Sequence, residues 1–334
     1  MKSSISISVL PLMQRFFIQR LMQQREASPH TIDCYRRSFI LLFRFASKRL
    51  GVPPERMEFE QIDAALITAF LDDLETSRNV SVRTRNLRLT AIHSLFRFAA
   101  FELPTHGAQI QQVLAIPGKR FTRKQVSFLN REEVDALLAA PDTGSWSGRR
   151  DHAFILTAVQ TGLRVSEMTG LKRQDLVLGT GAHVQVVGKG RKFRSTPLAK
   201  PTCAVLKAWL REPQRGEQDV LFPSFRGERL TIHGVQHLLK KHQATAAKSC
   251  PSLKERRVTV HVLRHTAAMD MLQEDIDRSI IALWLGHESF ESTRVYVEAT
   301  LSMKEQALAK TTPHEGKHGR YKAEDSLLAF LDSL

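Results

Sequence analysis

The segment His261–Met269, HVLRHTAAM, places two histidines one helical turn apart, with an arginine between them. Residues four apart share a helix face, so His261 and His265 could bind a metal ion as helical histidine pairs do. Arg264 argues against a metal because its guanidinium remains positively charged. His261 and Arg264 also share a face, and an imidazole beside a guanidinium suits a phosphate group. For His265 alone, a capping or packing role is the favoured interpretation.

The composition of the 334-residue chain restricts the class of partner. A net charge of +15 indicates a polyanion, although charge alone does not separate DNA, RNA and an anionic membrane. Hydrophobic residues make up 42% and charged residues 25%, which is typical of a soluble globular protein, and the length indicates about two domains. The three cysteines, Cys34, Cys203 and Cys250, form no CxxC pair, which argues against a zinc ribbon or a disulfide framework.

The N-terminus and the hydropathy of the chain predict where the protein acts. Gln14 and Arg15 interrupt the short apolar run at the start, so we expect no signal peptide. No apolar run approaches membrane-spanning length. With scattered cysteines, these features predict a protein of the reducing cytoplasm and not of a membrane.

The first hundred residues have the periodicity of amphipathic helices. In SPHTIDCYRRSFILLFRFASKR, Ser28 is a candidate N-cap and Pro29 takes the first helical position. The stretch VSVRTRNLRLTAIHSLFRFAA repeats the design, and Ile62–Leu74 predicts a helix between them, so we expect a small helical bundle. Its surface arginines are either solvated or bind phosphate. The candidates for DNA contact are Arg36, Arg37, Arg83, Arg85 and Arg88.

A basic segment with proline and glycine, PGKRFTRK, separates this bundle from the rest of the chain. It adds four candidate DNA-backbone contacts, Lys119, Arg120, Arg123 and Lys124. We therefore predict a helical DNA-binding domain at 1–108, a linker at 109–125, a second domain at 126–312 and a tail at 313–334.

The second domain is predicted to be mainly helical, with a small antiparallel sheet. Asn130 and Glu133 have the spacing of a capping box, and DHAFILTAVQTG predicts a buried helix. The strands HVQVV and RSTPL flank GKGRKF, which is typical of a hairpin turn. The remaining sequence is mostly helical in pattern.

Several residues of this domain could carry chemistry, although each alone has an ordinary structural explanation. Arg164 and Glu167 would usually form a weak surface ion pair, and Lys189 would usually be a solvated turn lysine. The GKG around Lys189 lacks Walker A spacing, so we expect no ATP. Tyr296 alone would be a packing residue. Only the ordered set, which ends with His287 and Tyr296, indicates a site.

Four stretches, TGLRVSEM, GKGRKFRSTPL, HVLRHT and LGHESFESTRVY, resemble the tyrosine recombinase (phage integrase) family, most closely its Xer-like bacterial branch. The resemblance covers nearly the whole chain. It implies a helical, SAM-like core-binding domain and a catalytic domain that together form a C-shaped clamp on DNA. By position it implies a catalytic set with Glu167 as supporting acid, Tyr296 as nucleophile, and the cationic or imidazole residues Arg164, Lys189, His261, Arg264 and His287.

The resemblance also implies a reaction and its partners. Tyr296 would attack the scissile phosphate and form a 3′-phosphotyrosine link, with no metal, ATP or other cofactor. The substrate would be double-stranded DNA with an inverted-repeat core site, bound by a homo- or hetero-tetramer, with or without sister recombinases. An integrase or transposase of a mobile element is favoured; the alternative is Xer-type resolution of chromosome or plasmid dimers.

The chain departs from the family pattern at its ends. A long segment precedes Ser28, and the tail Tyr321–Leu334 carries an amphipathic leucine stripe that either packs on its own domain or docks on a neighbouring protomer. Three rival functions remain open. They are a type IB topoisomerase-like enzyme, a DNA-binding protein that no longer cleaves, and a metal-dependent hydrolase built on His261, His265 and His287.

Overall fold

A computed structural model describes residues 7–122, 126–187, 193–213, 215–216 and 219–286. The chain divides into two compact units, an N-terminal unit at 1–123 and a C-terminal unit at 124–334. The described residues are mostly helical, with one three-stranded antiparallel sheet. This confirms the predicted fold class. None of the described helices is long and apolar enough to cross a membrane.

Across residues 7–122, the N-terminal unit is a bundle of five α-helices joined by short turns. They are α1 (Val9–Arg15), which continues as a π-helical segment (Phe16–Gln24), α2 (Pro29–Leu50), α3 (Ala64–Thr76), α4 (Val82–Glu102) and α5 (Gly107–Leu114). Short 3-10 turns occupy Pro54–Arg56, Phe59–Gln61 and Pro104–His106.

Helix boundaries in this unit follow from local capping. Ser28 Oγ accepts a hydrogen bond from the Thr31 amide at 3.2 Å, and Pro29 begins α2, as predicted. Gly51 ends that helix with a φ of 69°, a conformation that side chains disfavour. Helix α3 begins two residues later than predicted because the Asp63 carboxylate accepts from the Leu66 amide at 2.7 Å.

The segment before Ser28 belongs to the bundle core. Phe16 is fully buried and lies within 6.3 Å, centroid to centroid, of the rings of Phe17, Tyr35, Phe39 and Phe98. Such aromatic clusters bury much apolar surface, so this segment contributes directly to the stability of the unit.

The structure differs from the predicted linker at its start. Helix α5 extends to Leu114, although the linker was expected from residue 109. Ile110 and Val113 are buried in the core of the N-terminal unit, where α5 packs on α4. Burial of this apolar face stabilises a short helix that its glycine and proline neighbours argue against.

The C-terminal unit contains seven α-helices and the sheet within the described ranges. The helices are α6 (Arg131–Ala139), α7 (Trp146–Thr161), α8 (Val165–Gly170), α9 (Lys200–Leu210), α10 (Ile232–Ala246), α11 (Val260–Gln273) and α12 (Arg278–Leu285). The strands are β1 (Leu176–Val177), β2 (His183–Val187) and β3 (Phe193–Pro197). Asn130 and Glu133 form the predicted capping box of α6.

The sheet has the order β1-β2-β3 with antiparallel pairing throughout. Both predicted strands are present, although β3 starts at Phe193, and the two-residue β1 was not predicted. In the β2–β3 register Val184 pairs with Thr196 and Val186 pairs with Arg194. Since side chains alternate along a strand, Arg194 shares its face with the buried Thr196 and points towards the interior.

A buried ionic network fixes α7 against α10. The Asp151 carboxylate accepts hydrogen bonds from Arg150 Nε at 2.8 Å and from His242 Nε2 at 2.7 Å. Arg150 Nη1 also donates to the Pro223 carbonyl at 3.0 Å. Buried charges are tolerated when they are paired in this way. Helix α7, which ends three residues before Arg164, also packs on α11, which carries Arg264.

Candidate active site

Arg164 is held at a sharp reversal between α7 and α8. Helix α7 ends at Gly162, which has a φ of 62°, and an added Cβ there would lie 2.6 Å from Leu285 Cδ2. Glycine is therefore required by both conformation and space. Arg164 then becomes the N-cap residue of α8, and its amide donates to Glu167 Oε2 at 2.7 Å. The backbone thus fixes the start of the side chain.

The guanidinium of Arg164 is fixed as well. Nη1 donates to Glu167 Oε1 at 3.0 Å and Nη2 donates to the Gly286 carbonyl at 2.9 Å. The side chain is still 35% exposed, so part of it faces outward from the protein. An oriented and partly exposed guanidinium can bind an external anion.

Arg264 lies in the second turn of α11 and is only 3% exposed. Its Nη1 donates to the Gly162 carbonyl at 2.6 Å and its Nη2 to the Leu285 carbonyl at 2.7 Å. The two arginines therefore bind the consecutive carbonyls of Leu285 and Gly286, so both side chains reach the end of α12. The Gly162 carbonyl lies at the C-terminal end of α7, and the Leu285 and Gly286 carbonyls lie at the C-terminal end of α12. The helix dipole leaves partial negative charge at both ends. Partial charges orient the guanidinium groups and offset only part of their positive charge.

Glu167 connects the arginines of the site. Its side chain is 6% exposed, and its two oxygens accept four hydrogen bonds, from the amide and Nη1 of Arg164 and from both terminal nitrogens of Arg194. Burial raises the pKa of this carboxyl. The hydrogen bonds from Arg194 and the Arg164 amide, together with the charges of both arginines, lower the pKa by more than burial raises it. The net pKa lies below its ordinary value, so Glu167 is an ionised anchor.

Arg194 is a site residue that the sequence analysis missed. It lies on β3, is 12% exposed, and forms a two-pronged bond to Glu167 at 2.9 and 2.8 Å. The Arg194 side chain also packs closely on Gly286, where an added Cβ would lie 2.7 Å from Arg194 Nη1. The Arg194 side chain thus connects β3, the strand that follows Lys189 in the chain, with the turn that carries Arg164 and with Gly286, the residue before His287. Its available signal was its place on the inward face of the predicted strand.

His261 is exposed in the first turn of α11, one turn before Arg264. Its ring centroid lies 4.1 Å from that of His265, at an interplanar angle of 62°. The Thr259 hydroxyl caps this helix by accepting from the Val262 amide at 3.2 Å. No cluster of three or more histidine, cysteine or carboxylate side chains suited to a metal ion occurs in the described part of the chain.

Three of the predicted catalytic residues, Lys189, His287 and Tyr296, lie outside the described residues, as does the tail from Tyr321. The structure brings together Arg164, Glu167 and Arg264 of the predicted set and places His261 one turn away on the helix of Arg264.

The predicted DNA contacts of the N-terminal unit fall into two groups. Arg36 and Arg37 are exposed and share Asp33, at 2.7 and 2.8 Å, and Arg83 and Arg120 are also exposed. Lys119 pairs with Glu75, and Arg123 and Lys124 lie outside the described residues. The exposed arginines are available to a partner without rearrangement of the fold.

Arg85 and Arg88 have structural roles in this unit. Arg85 is 4% exposed and donates to the Pro117 carbonyl at 3.2 Å, which fastens the following segment to α4. Arg88 donates to the Cys34 carbonyl at 3.3 Å and to Ser38 Oγ at 2.9 Å, which joins α4 to α2. Both arginines were predicted as DNA contacts because they cluster with Arg83 near serine and threonine at a helix start. That clustering does not reveal that the fold buries Arg85 and half-buries Arg88.

Family models match most of the chain. The phage integrase N-terminal SAM-like domain matches residues 15–102, and the phage integrase family matches residues 127–303. The chain belongs to the phage integrase, or tyrosine recombinase, family. This confirms the resemblance found in the sequence, and it makes the protein a site-specific DNA breaking and rejoining enzyme by family.

Three relatives show the range of similarity. A Sinorhizobium fredii protein named integrase/recombinase y4rC is 67% identical over 98% of both chains. A second protein of the same strain, integrase/recombinase y4rD, is 39% identical over 76% of this chain and 92% of its own. The tyrosine recombinase XerC of Chlamydia muridarum is 29% identical over 89% of this chain and 96% of its own. The integrase/recombinase names favour the integrase function over the Xer alternative.

Solved structures support the fold. The Tn1549 transposon integrase in complex with circular intermediate DNA has a TM-score of 0.68 at 14% identity and covers 92% of this chain and 100% of its own. The XerH recombinase in a post-cleavage complex with its difH substrate has a TM-score of 0.66 at 23% identity, with 86% and 81% covered. At these identities the likeness shows a shared fold.

Proposed function

We propose that this chain is the recombinase of a mobile element and that it cuts and rejoins DNA through a covalent 3′-phosphotyrosine intermediate. The observation that carries the proposal is the pair of guanidinium groups on the consecutive carbonyls of Leu285 and Gly286. Arg164 and Arg264 lie on different helices. Both nevertheless donate to carbonyls of the two residues that directly precede His287 in the chain. Such a preorganised pair of planar donors suits the two non-bridging oxygens of one phosphate.

The chemical step assigns one task to each residue. The Tyr296 oxygen forms a bond to phosphorus, and the bond from phosphorus to the 5′-oxygen of the next nucleotide breaks. His261 assists removal of the tyrosine proton, and Lys189 donates a proton to the departing 5′-oxygen. Arg164 and Arg264 stabilise the negative charge that develops on the phosphate, and His287 hydrogen-bonds the phosphate or orients the nucleophile.

Glu167 and Arg194 act as positioning residues in this scheme. Glu167 holds Arg164 through its carboxylate, and Arg194 holds Glu167 with a fixed fork. Arg194 also supplies a second cation for the buried carboxylate, so Glu167 neutralises Arg164 only in part. The support therefore orients the arginine and leaves positive charge for the substrate.

Rejoining uses the energy stored in the intermediate. The phosphotyrosine ester is similar in kind to the phosphodiester that it replaces, so the 5′-hydroxyl of another strand can attack it and restore the DNA backbone. The proposed cycle then balances with neither ATP nor a metal ion. It takes place in the cytoplasm, where the DNA substrate is found.

The assembly that we propose contains more than one protomer. Exchange between two duplexes requires four cleavages, so we expect a tetramer on paired core sites with inverted repeats. The occurrence of y4rC and y4rD in one Sinorhizobium strain supports a hetero-assembly with sister recombinases. Residues 1–108 would bind the core site and residues 126–312 would carry the chemistry, connected by a linker within 109–125. Removal of Tyr321–Leu334 should weaken assembly on DNA and spare the fold of the remainder.

The test is a covalent trapping experiment. The protein is used to select a duplex from a random-sequence pool, and the selected duplex is nicked beside the cleavage site so that rejoining is impossible. The reaction is run in EDTA and resolved on a denaturing gel, with Tyr296→Phe as the matched variant. A covalent protein–DNA band that the variant lacks is the expected result.

Two results would contradict the proposal. One is a band that depends on divalent metal. The other is the absence of a band on DNA that the protein binds, even when the neighbouring recombinases are added. The second result would instead favour a protein that binds DNA and does not cleave it.

A further inference from the structure

His265 follows the buried Arg264 on α11, and the fold fixes the backbone around it. Its two neighbours in the chain, Arg264 and Thr266, are 3% and 0% exposed. Arg264 carries the two carbonyl bonds of the candidate site, and Thr266 Oγ1 accepts a hydrogen bond from the Leu129 amide at 3.0 Å. The position of His265 is therefore set by contacts with three other segments of the C-terminal unit.

His261 lies nearer to solvent than the half-buried His265. It is exposed in the first turn of α11. An exposed imidazole samples several staggered rotamers unless contacts select one of them, and that selection costs conformational entropy. A general base must bring a ring nitrogen within hydrogen-bond reach of the proton that it accepts, at roughly 2.6–3.2 Å. A neighbour that limits the orientation of this ring therefore bears on the chemical step.

The imidazoles of His261 and His265 are in contact. Their centroids lie 4.1 Å apart at an interplanar angle of 62°. Side chains of a helix point back toward its N-terminus, so the His265 ring covers the turn that carries His261. Rings that meet edge to face attract each other, and this contact restricts rotation of the more exposed ring. Since Thr259 caps α11, the role that the structure shows for His265 is packing, and the ring of His261 is one of its packing partners.

We propose that His265 is a positioning residue of the recombination reaction, whose imidazole holds that of His261 in the orientation that accepts the tyrosine proton. The inference rests on the proposed function, which makes His261 the group that assists removal of this proton. The proton passes from the Tyr296 oxygen to a ring nitrogen of His261, and none moves to His265. In this scheme His265 contacts neither the phosphate nor the nucleophile and acts through His261 alone.

A double-mutant cycle tests this dependence. His265→Ala, His261→Ala and the double variant are compared in EDTA by the single-turnover rate of covalent intermediate formation on the selected duplex, with the protein saturating. His265→Ala should lower the rate by about 10-fold, because a modest displacement of a catalytic group has effects of this order. In the His261→Ala background the same change should alter the rate by less than about twofold, since residues that act through one group are not additive.

Two outcomes of the cycle would overturn the proposal. An equal loss of rate in both backgrounds would show that His265 supports the fold or the arginines and not His261. A loss of DNA affinity that accounts for the loss of rate would place His265 at the DNA. Affinity for the selected duplex and melting temperature are therefore measured for each variant, and we expect the affinity of His265→Ala to equal that of the wild type.

Rescue by a conservative variant tests the ring contact itself. His265→Phe keeps an aromatic ring beside His261 and loses the ring nitrogens, whereas His265→Gln keeps a polar group and loses the ring. The phenylalanine variant should therefore retain more of the wild-type rate than the alanine variant, and the glutamine variant should resemble alanine. A glutamine variant that is faster than the phenylalanine variant would overturn the ring contact as the means of positioning.

A second histidine pair supplies the matched control. His233 and His237 occupy the same two positions of α10 that His261 and His265 occupy on α11, and both lie exposed outside the candidate site. His237→Ala should leave the cleavage rate within about twofold of wild type, which is the agreement expected between independent sites. A loss as large as that of His265→Ala would overturn the specific role of His265.

These results separate the failure of this inference from that of the proposed function. If the wild-type protein forms no covalent complex, the proposed function fails and the inference falls with it. If the wild-type protein cleaves and the losses at His261 and His265 are additive, the positioning role alone is overturned.

Discussion

Arg85 in the N-terminal unit and Arg264 in the C-terminal unit are buried to nearly the same degree, at 4% and 3% exposed. Both donate to backbone carbonyls. Arg85 donates to Pro117, just after α5, and Arg264 donates to Gly162 and Leu285, at the ends of α7 and α12. Their surroundings differ. Arg85 lies 3.8 Å from the carboxylate of Glu75, which Lys119 also contacts, whereas Arg264 lies beside the partly exposed Arg164 and one turn from the exposed His261.

Burial and hydrogen bonding therefore do not by themselves identify a functional arginine. Around Arg85 the unit completes its own contacts and fastens the segment after α5. Around Arg264 the protein brings a second guanidinium, that of Arg164, to the same end of α12. Glu167 and the carbonyls at the ends of α7 and α12 hold the two groups in place. The second arrangement combines buried and partly exposed guanidinium groups at one place, which suits an anionic ligand.

The largest expected effect is at Arg264. Arg264→Gln should lower the rate of covalent intermediate formation by at least about 100-fold, because one preorganised donor to the developing charge is worth that much. The rate is measured under single-turnover conditions on the selected duplex. Because Arg264 is buried, melting temperature is measured alongside. Arg264→Lys serves as a second variant that keeps the charge and loses the fork, and a rate near the wild-type value in either variant would break the comparison.

The next effect is at Arg194. Arg194→Gln should lower the cleavage rate by about 10- to 100-fold while DNA affinity changes little, since hydrogen bonds to charged groups are worth about 1.5–3 kcal/mol. Arg194→Lys should restore only part of the rate because a lysine cannot reproduce the two-pronged bond. An equal loss of affinity and rate would instead indicate that Arg194 contacts DNA directly.

The same variant predicts a change in pH dependence. In the wild type the pKa of Glu167 lies below its ordinary value, so the anchor stays ionised and its stabilisation is lost only as the pH falls through that low pKa. Arg194→Gln removes the main group that lowers the pKa, while burial, which raises it, remains. The acidic limb of the rate profile should therefore move to higher pH in the variant. An acidic limb at the same pH in both proteins would contradict the claim that Arg194 lowers the pKa of Glu167.

A smaller and different effect is expected at Arg85. Arg85→Met should destabilise the N-terminal unit by about 1–3 kcal/mol, because it removes the hydrogen bonds from a charged group to Pro117 and Asn86 and the cation beside Glu75. The cleavage rate per folded molecule should stay within about twofold of wild type, since Arg85 lies outside the chemistry. Chemical denaturation of the full chain and single-turnover cleavage give the two values. A stable variant that fails to cleave would assign Arg85 to the DNA contact first predicted for it.

The smallest effect is at the exposed arginines of α2. Arg36→Gln/Arg37→Gln should change stability by less than about 1 kcal/mol, because exposed ion pairs such as those with Asp33 contribute little. The salt slope of DNA binding should fall by up to about 2 if both contact phosphates. A matched Lys48→Gln/Arg49→Gln variant at the end of α2 controls for net charge, and identical slopes for the two would remove Arg36 and Arg37 from the interface.

Much of this organisation could be predicted from the sequence because it depends on local signals. Ser28, Asn130 and Gly286 end or begin helices where capping rules place them, and the predicted strands HVQVV and RSTPL pair with each other. The family motifs are also local, so the site residues could be named in order. Arg164, Glu167 and Arg264 then meet in the structure.

The remaining features depend on contacts between distant segments. Arg194 becomes a site residue only through the β2–β3 register and its approach to Gly286, which lies 92 positions away in the chain. Helix α5 forms because the core of its unit buries Ile110 and Val113. Arg85 and Arg88 look like their exposed neighbours in the sequence. Only tertiary contacts distinguish them: those of Arg85 with Pro117 and Glu75, and those of Arg88 with α2.

The most direct test of the account is whether the arginines neutralise charge on the scissile phosphate. Arg164→Ala is chosen because Arg164 is partly exposed and its loss should leave the fold intact. Its cleavage rate is compared with that of the wild type on two selected duplexes, one with the normal scissile phosphate and one with an uncharged methylphosphonate there. The deficit of the variant should shrink by at least about tenfold on the methylphosphonate, because the charge that Arg164 stabilises is no longer present. An equal deficit on both duplexes would contradict the central claim that this cluster is a phosphate clamp.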